Sequence, residues 1–369
     1  MDVTTQEAPE VIVSPEFLVQ TALRALPGMY DKNQKRFCHE VHIRPDNGGA
    51  VVGPDLSYRY TVISLLGLSR VNTEHTKGFI DLRAAFSGLI EFMSEASPGD
   101  LGLLLWLNYR LEASEETKIV PAIKRYVDAD GYRSLVTFEL AWLIAGLSVY
   151  CAASGSVQSR LLNSIKSYLV DNRASESGLM YHTHLGFRRR FPNFATQIYS
   201  VHALSLCSRL CGDESAAHLA LRIAETLQGL QRPNGGWPWI YDAERGTVVE
   251  PFEIYSVHQD GMAPMALREL QRAAGKDLSL TIDSGLRWLA GENELQTSMI
   301  DRNQAWIMRS IRRQRPWNQL NLLTNTALSL CGSRCGGWES ERRLEINRTS
   351  RPYHMGWILE AWCGDDFEL

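Results

Sequence analysis

Apolar residues along the chain recur mainly three and four positions apart, the spacing of helices, and period-two alternation is scarce. The clearest amphipathic stretch, Ala216 to Leu230, ends in the turn Arg232-Pro233-Asn234-Gly235-Gly236. Other segments are expected as the second, apolar helices: Tyr58 to Ser69, Val136 to Tyr150, Asn303 to Arg312 and Tyr353 to Trp362, and polar or aromatic groups open those at Tyr199 and His202, Tyr255 and His258, and Tyr353 and His354. An amphipathic helix buries one stripe, whereas a helix apolar all round must be covered on every side. The two kinds alternate, so the chain reads as helical hairpins with the apolar member inside. Gly and Pro cluster between the segments, where the chain must reverse. No persuasive sheet is expected.

The units repeat. Gln197-Ile198-Tyr199-Ser200-Val201-His202 leads into the apolar run Ala203 to Cys207. Glu253-Ile254-Tyr255-Ser256-Val257-His258 leads into Met262 to Leu270, and the shared motif is offset by 255 − 199 = 56 residues. Arg44-Pro45-Asp46-Asn47-Gly48-Gly49 parallels the turn at Arg232, and Gly236-Trp237 returns as Gly337-Trp338, 101 residues later. Hairpins repeating about every 50 residues either stack as an open solenoid or close into a ring. Closure gathers the polar and aromatic openings of the inner helices at one mouth. The expected fold is an all-α (α/α) toroid of roughly five to seven hairpins over residues 16–369, after a flexible segment 1–15.

Composition narrows the classes without naming a reaction. The 369 residues are 44% hydrophobic and 22% charged, a globular balance that excludes a disordered or fibrous chain. Lys and Arg number 38 against 42 Asp and Glu, so the basic excess of a nucleic-acid binder is missing. The run from Leu140 to Ala153 falls short of the roughly 20 residues of a membrane span, and the N-terminus lacks the pattern of a secretory signal. Seven cysteines with no C-x-x-C pair suit buried thiols in a reducing compartment. The expectation is a cytoplasmic protein with no integral membrane segment, its oligomeric state open.

Several constellations carry candidate chemistry. His202 and His258 hold equivalent places in two repeats and would converge on one mouth as an acid/base pair. Asp242 and Asp260, flanked by Tyr241 and Gln259, are the pocket carboxylates, whereas Glu250 and Glu253 fit the first turn of a helix. Asp128 and Asp130 precede an apolar helix, either as an acid or as a solvated turn. Tyr199, Tyr255, Trp237 and Trp239 would line the cavity with Gln259 and Asp260. Arg188 to Arg190 form a basic cluster fit for an anionic head group, as do Arg309, Arg312, Arg313 and Arg315. His182 and His184 lack a third ligand, and no phosphate-loop, dinucleotide or zincin motif is present, so neither metal nor cofactor is expected.

Gln231-Arg232-Pro233-Asn234-Gly235-Gly236-Trp237 resembles the QW repeat of squalene and other terpenoid cyclases, and Gly332 to Trp338 keeps its G-x-W. Arg351 to Leu359 looks like the Y-H-x-x-Y-x-L segment of protein prenyltransferase β subunits, placing His354 where that family binds zinc; the D-x-C ligands are missing. This resemblance implies a toroid enzyme that holds an isoprenoid-like or largely apolar substrate centrally, with Asp128 and Asp130 at the D-x-D-D acid. His354 would then contact substrate, and so would Arg188 if its basic cluster lies on a loop at the mouth. Gly236-Trp237-Pro238-Trp239-Ile240-Tyr241-Asp242, with Glu250-Pro251 and Tyr255-Ser256, is also similar to segments of glucuronyl C5-epimerases and six-hairpin glycosidases. That second resemblance implies a glycan-active toroid, an epimerase, lyase or glycosidase, using His258 and a carboxylate. A non-catalytic helical scaffold is the third reading.

Overall fold

The computed structural model describes residues 13–45, 49–155, 159–302, 304–314, 317–331 and 343–363. Fourteen α-helices lie among them: α1 (Pro15–Ala25), α2 (Tyr58–Leu68), α3 (Thr73–Thr76), α4 (Leu82–Glu91), α5 (Pro98–Arg110), α6 (Glu116–Asp130), α7 (Thr137–Ala153), α8 (Arg160–Arg173), α9 (Phe194–Cys211), α10 (Glu214–Leu230), α11 (Ala263–Ala274), α12 (Ser279–Ala290), α13 (Trp317–Leu330) and α14 (Pro352–Trp362). Side chains start them where the sequence allows. Ser57, Ser97, Ser159 and Asn193 cap α2, α5, α8 and α9, and Ser97 with Asp100 forms a reciprocal capping box. Gly212 and Gly275 end α9 and α11 in left-handed conformation, which costs a glycine nothing.

The helices close into a barrel. α2, α5, α7, α9, α11 and α14 pack side by side in that order, and α14 returns to α2. α4, α6, α8, α10 and α12 cover them from outside, and α1 packs on α14. This is an (α/α) toroid with six inner helices among the described residues. The pattern of the sequence explains the sorting: α9 is buried at every position from Thr196 to Cys207, whereas α10 buries one stripe through Ala220, Ile223, Ala224 and Leu227.

All inner helices run the same way. Tyr60 meets Tyr353 and Arg70 meets Glu360, so α2 and α14 are parallel; Trp142 meets Tyr199 and Ser148 meets Cys211, so α7 and α9 are too. Their N-termini therefore share one mouth. Glycines permit the close approach: a Cβ at Gly356 would lie 2.6 Å from the Ile63 carbonyl, and one at Gly146 would collide with Gly102.

The structure corrects the expectation of no sheet. Among the described residues, short strands form two three-stranded and three two-stranded sheets, within connections that lead to the N-terminal mouth or border it. Asn303 to Arg312, expected as a helix, instead contains strands Trp306–Ile307 and Ser310–Arg313, with residue 303 outside the described set. Ser310–Arg313 pairs on one side with Leu344–Asn347 and on the other with Ile254–Tyr255, which supplies the backbone partners a helix would have provided internally. The second G-x-W copy, 332–338, lies outside the described residues. No helix among them is long and apolar enough to cross a membrane.

Candidate active site

The N-terminal mouth is built by the first turns of the inner helices and by the stranded loops between them. On one side, Tyr60 of α2 and Tyr353 of α14 meet at 4.6 Å between ring centroids, and His39 stacks on Tyr60 at 5.2 Å. Arg351 donates to the Tyr60 hydroxyl at 2.6 Å and reaches Glu40 at 3.4 Å. On another side, Trp239 meets Tyr255 at 4.9 Å, with the Arg309 guanidinium 5.3 Å from the Tyr255 ring. Glu253 accepts from the Ser310 hydroxyl at 2.8 Å beside them. A third side carries Arg59, bonded to Asp100 at 2.6 Å, with Glu139 at 3.8 Å and the guanidinium 5.0 Å from the Trp142 ring. These groups are half-buried except Asp100, Trp142 and Ser310, which are buried.

Rings close the floor. Tyr199 touches Trp142 at 5.0 Å and reaches Trp357 at 5.8 Å, an inner helix beyond its neighbour. One level deeper, Trp106 stacks on His202 at 5.3 Å. Burial, aided by the neighbouring Tyr353, holds the Tyr199 hydroxyl well above its ordinary range, so it stays protonated.

His258 lies beneath Trp239 and Tyr255, at 5.8 and 5.1 Å, and against Phe194 at 4.5 Å. Its Nδ1 is buried with no partner among the described residues. Burial, then His354 and Arg309, keeps the ring well below the ordinary histidine range, hence neutral at pH 7. His354 contacts the Asp260 carboxylate at 2.7 Å through Nε2, and burial pushes that carboxyl up despite the contact. Gln259 donates to the Tyr255 carbonyl and is buried.

Several expected site residues are elsewhere. His202 does not converge with His258. Phe194 touches His258, and His202 is eight residues further along α9, about 12 Å at the helical rise, so it belongs to the opposite mouth. Asp242 is fully buried, accepting from Arg190 at 2.6 and 3.0 Å, from Ser329 at 2.6 Å and from the Glu244 and Arg245 amides. Those bonds make it the centre of a hairpin turn. Trp237 is buried against Phe194 at 5.2 Å and faces no opening. Asp128 is exposed and Asp130 ends α6, an outer helix; neither opens an inner helix, since Gly131 terminates α6 in left-handed conformation. Arg188 is exposed on a loop and contacts the His182 ring at 3.0 Å. Among the described residues no group of three His, Cys, Asp or Glu could hold a metal.

The sequence places Tyr353 among the groups that open at the mouth, and the residues that it passed over are Arg59, Tyr60, Glu139, Trp142 and Arg351. Their signal was present: each lies in the opening turns of an apolar helix, or just before one, and all inner helices open at the same mouth. The QW-like segment does tie hairpins together, as Gln231 donates to the Gly235 carbonyl at 2.8 Å and to Thr281 of α12 at 3.2 Å.

No family model and no curated protein matches the chain. Solved structures do. An unsaturated glucuronyl hydrolase specific for heparin is 14% identical over 94% of this chain and 95% of its own, with a TM-score of 0.60. The unsaturated glucuronyl hydrolase of Streptococcus agalactiae is 12% identical, covering 97% and 94%, at 0.60. A sugar epimerase from a ruminal bacterium is 10% identical, covering 96% and 100%, at 0.61. At such identities the likeness establishes the toroid fold. It also overturns the terpenoid cyclase and prenyltransferase reading, since the similar toroids are glycan enzymes.

Proposed function

We propose that the chain is a glycan-active enzyme that binds an acidic saccharide at the N-terminal mouth and acts on it by proton transfer. The observation that carries this reading is Arg309. Its half-buried guanidinium lies against Tyr255 within the aromatic mouth, and its Nε has no partner among the described residues. A guanidinium fork matches a carboxylate, so a uronic-acid carboxylate would complete it. Trp239, Tyr255, Tyr60 and Tyr353 offer apolar ring faces with polar edges, the surface that a pyranose stacks on. The likeness to glucuronyl hydrolases and a sugar epimerase supports the same substrate class.

His258 and Glu253 flank Tyr255 and serve as the acid/base groups. A neutral imidazole in a dry pocket accepts a proton, and a carboxylate beside Arg309 and Tyr255 receives or returns one. Burial, with the Glu253 charge adding to it, pushes the Tyr255 hydroxyl up to about 12, so it remains a donor to the substrate. Tyr199 and Trp357 hold the floor and exclude water from beneath.

The test is incubation with saturated and 4,5-unsaturated glucuronyl disaccharides and with their neutral glucosyl counterparts, the products being read by NMR. Turnover of the uronides alone, by bond cleavage or by inversion at a ring carbon, is expected. Turnover of the neutral sugars only, or of none, would overturn the reading.

A further inference from the structure

The opposite end of the barrel holds a second pocket, of about 260 Å³, formed by the C-terminal halves of the inner helices. Four guanidinium groups line it, Arg70, Arg110, Arg209 and Arg272, against two carboxylates, Glu269 and Glu360, a surplus of 4 − 2 = 2 positive charges. Its inner wall is the Trp106–His202 stack.

Helix C-termini favour cations, so arginines here have an ordinary explanation in the dipole. The contacts argue otherwise. Arg110 and Arg70 lie 3.1 and 3.6 Å from one oxygen of Glu360, while Arg209 and Arg272 lie 2.6 and 3.4 Å from the two oxygens of Glu269. The four spend these contacts on two buried carboxylates and not on helix carbonyls. Each glutamate thus faces two guanidinium groups and neutralises only one, and the buried Nε of Arg70 has no hydrogen-bond partner among the described residues. Arg209 and Arg272 keep side chains 41% and 39% exposed. Converging, pre-positioned guanidinium groups with uncompensated charge are what bidentate recognition of phosphate or carboxylate requires. The volume is below the roughly 300–1,000 Å³ of pockets for drug-sized ligands, so the occupant is small.

We propose that this C-terminal pocket is a second binding site, for a small dianion bearing phosphate or carboxylate oxygens, distinct from the sugar mouth. The proposal does not depend on the sugar reading. Isothermal titration with inorganic phosphate and with malonate, at an ionic strength held constant with chloride, tests it. Saturable binding of either anion is expected, together with a rise in melting temperature that chloride does not give. Arg209→Gln and Arg272→Gln should each weaken it by about tenfold, the loss of one charge-assisted fork. Arg309→Gln, at the other mouth, should leave it unchanged. Arg272 makes only a long contact from an exposed position, so its variant keeps the test readable should Arg209→Gln fold poorly. No anion effect beyond that of chloride, or a loss caused by Arg309→Gln and not by Arg272→Gln, would overturn the proposal.

Discussion

His258 and His202 show what a repeat does and does not reveal about single residues. Equivalent motif positions made them look like partners, yet His258 opens the π-helical turn His258–Met262 just after the strand Ile254–Tyr255, whereas His202 is two turns inside α9. The motif therefore located His258 beside the mouth and misplaced His202. With Nδ1 unpaired and the ring beneath Trp239 and Tyr255, His258→Gln should lower turnover of a glucuronyl substrate by about 10²–10⁴-fold while the fold persists. Turnover assays alongside a thermal melt check this; an active variant refutes the role. Asp242 behaves oppositely. An aspartate between a tyrosine and a loop is equally legible as catalyst or as turn, and only its burial with Arg190 separates the two. Asp242→Ala leaves Arg190 its contact with Glu244 but removes the acceptor of the Ser329 hydroxyl and of the Glu244 and Arg245 amides, and denaturant unfolding should show a loss of about 1–3 kcal/mol.

Among the elements, the helices were legible because each carries its own evidence of spacing and caps. The strands were not. Segments of two to four residues contain too few positions to display alternation, and Ser310–Arg313 is a strand because partners distant in sequence complete its hydrogen bonds. The repeat did imply that the inner helices run parallel, but not the glycine contacts by which facing helices approach. Gly146 of α7 lies on the Gly102 backbone of α5, leaving no room for a methyl group. Gly146→Ala should therefore destabilise by about 1–3 kcal/mol although alanine is the better helix former. Gly88→Ala on the outer helix α4, whose added Cβ would meet nothing within 4 Å, should be neutral or stabilising. Chemical denaturation of the two variants decides between packing and propensity.

For the whole molecule, one consequence of closing the barrel is a set of buried neutral imidazoles. Burial, then Arg188 and Arg173, pushes His182 down to about 4, and burial also lowers His202 and His258. In the unfolded chain each takes up a proton near pH 6.5, so between there and pH 4 unfolding binds protons and stability must fall as the pH drops. Melting temperatures should decline steadily across that window; a flat profile would mean that the histidines protonate in place.

The second consequence is that the parallel inner helices present two mouths of different chemistry, with the Tyr199 ring in contact with Trp142 and Trp357 at the floor of the first. One has aromatic walls with Arg309, whose Nε has no hydrogen-bond partner among the described residues, and the other is lined by arginine–glutamate pairs. The central claim is that the first of these receives an acidic sugar. A crystal structure of the protein with a glucuronyl disaccharide tests it most directly. The account predicts a pyranose ring against Trp239 and Tyr255 with its carboxylate on Arg309. A sugar seated at the opposite pocket, or one at this mouth whose carboxylate points away from Arg309, would contradict it.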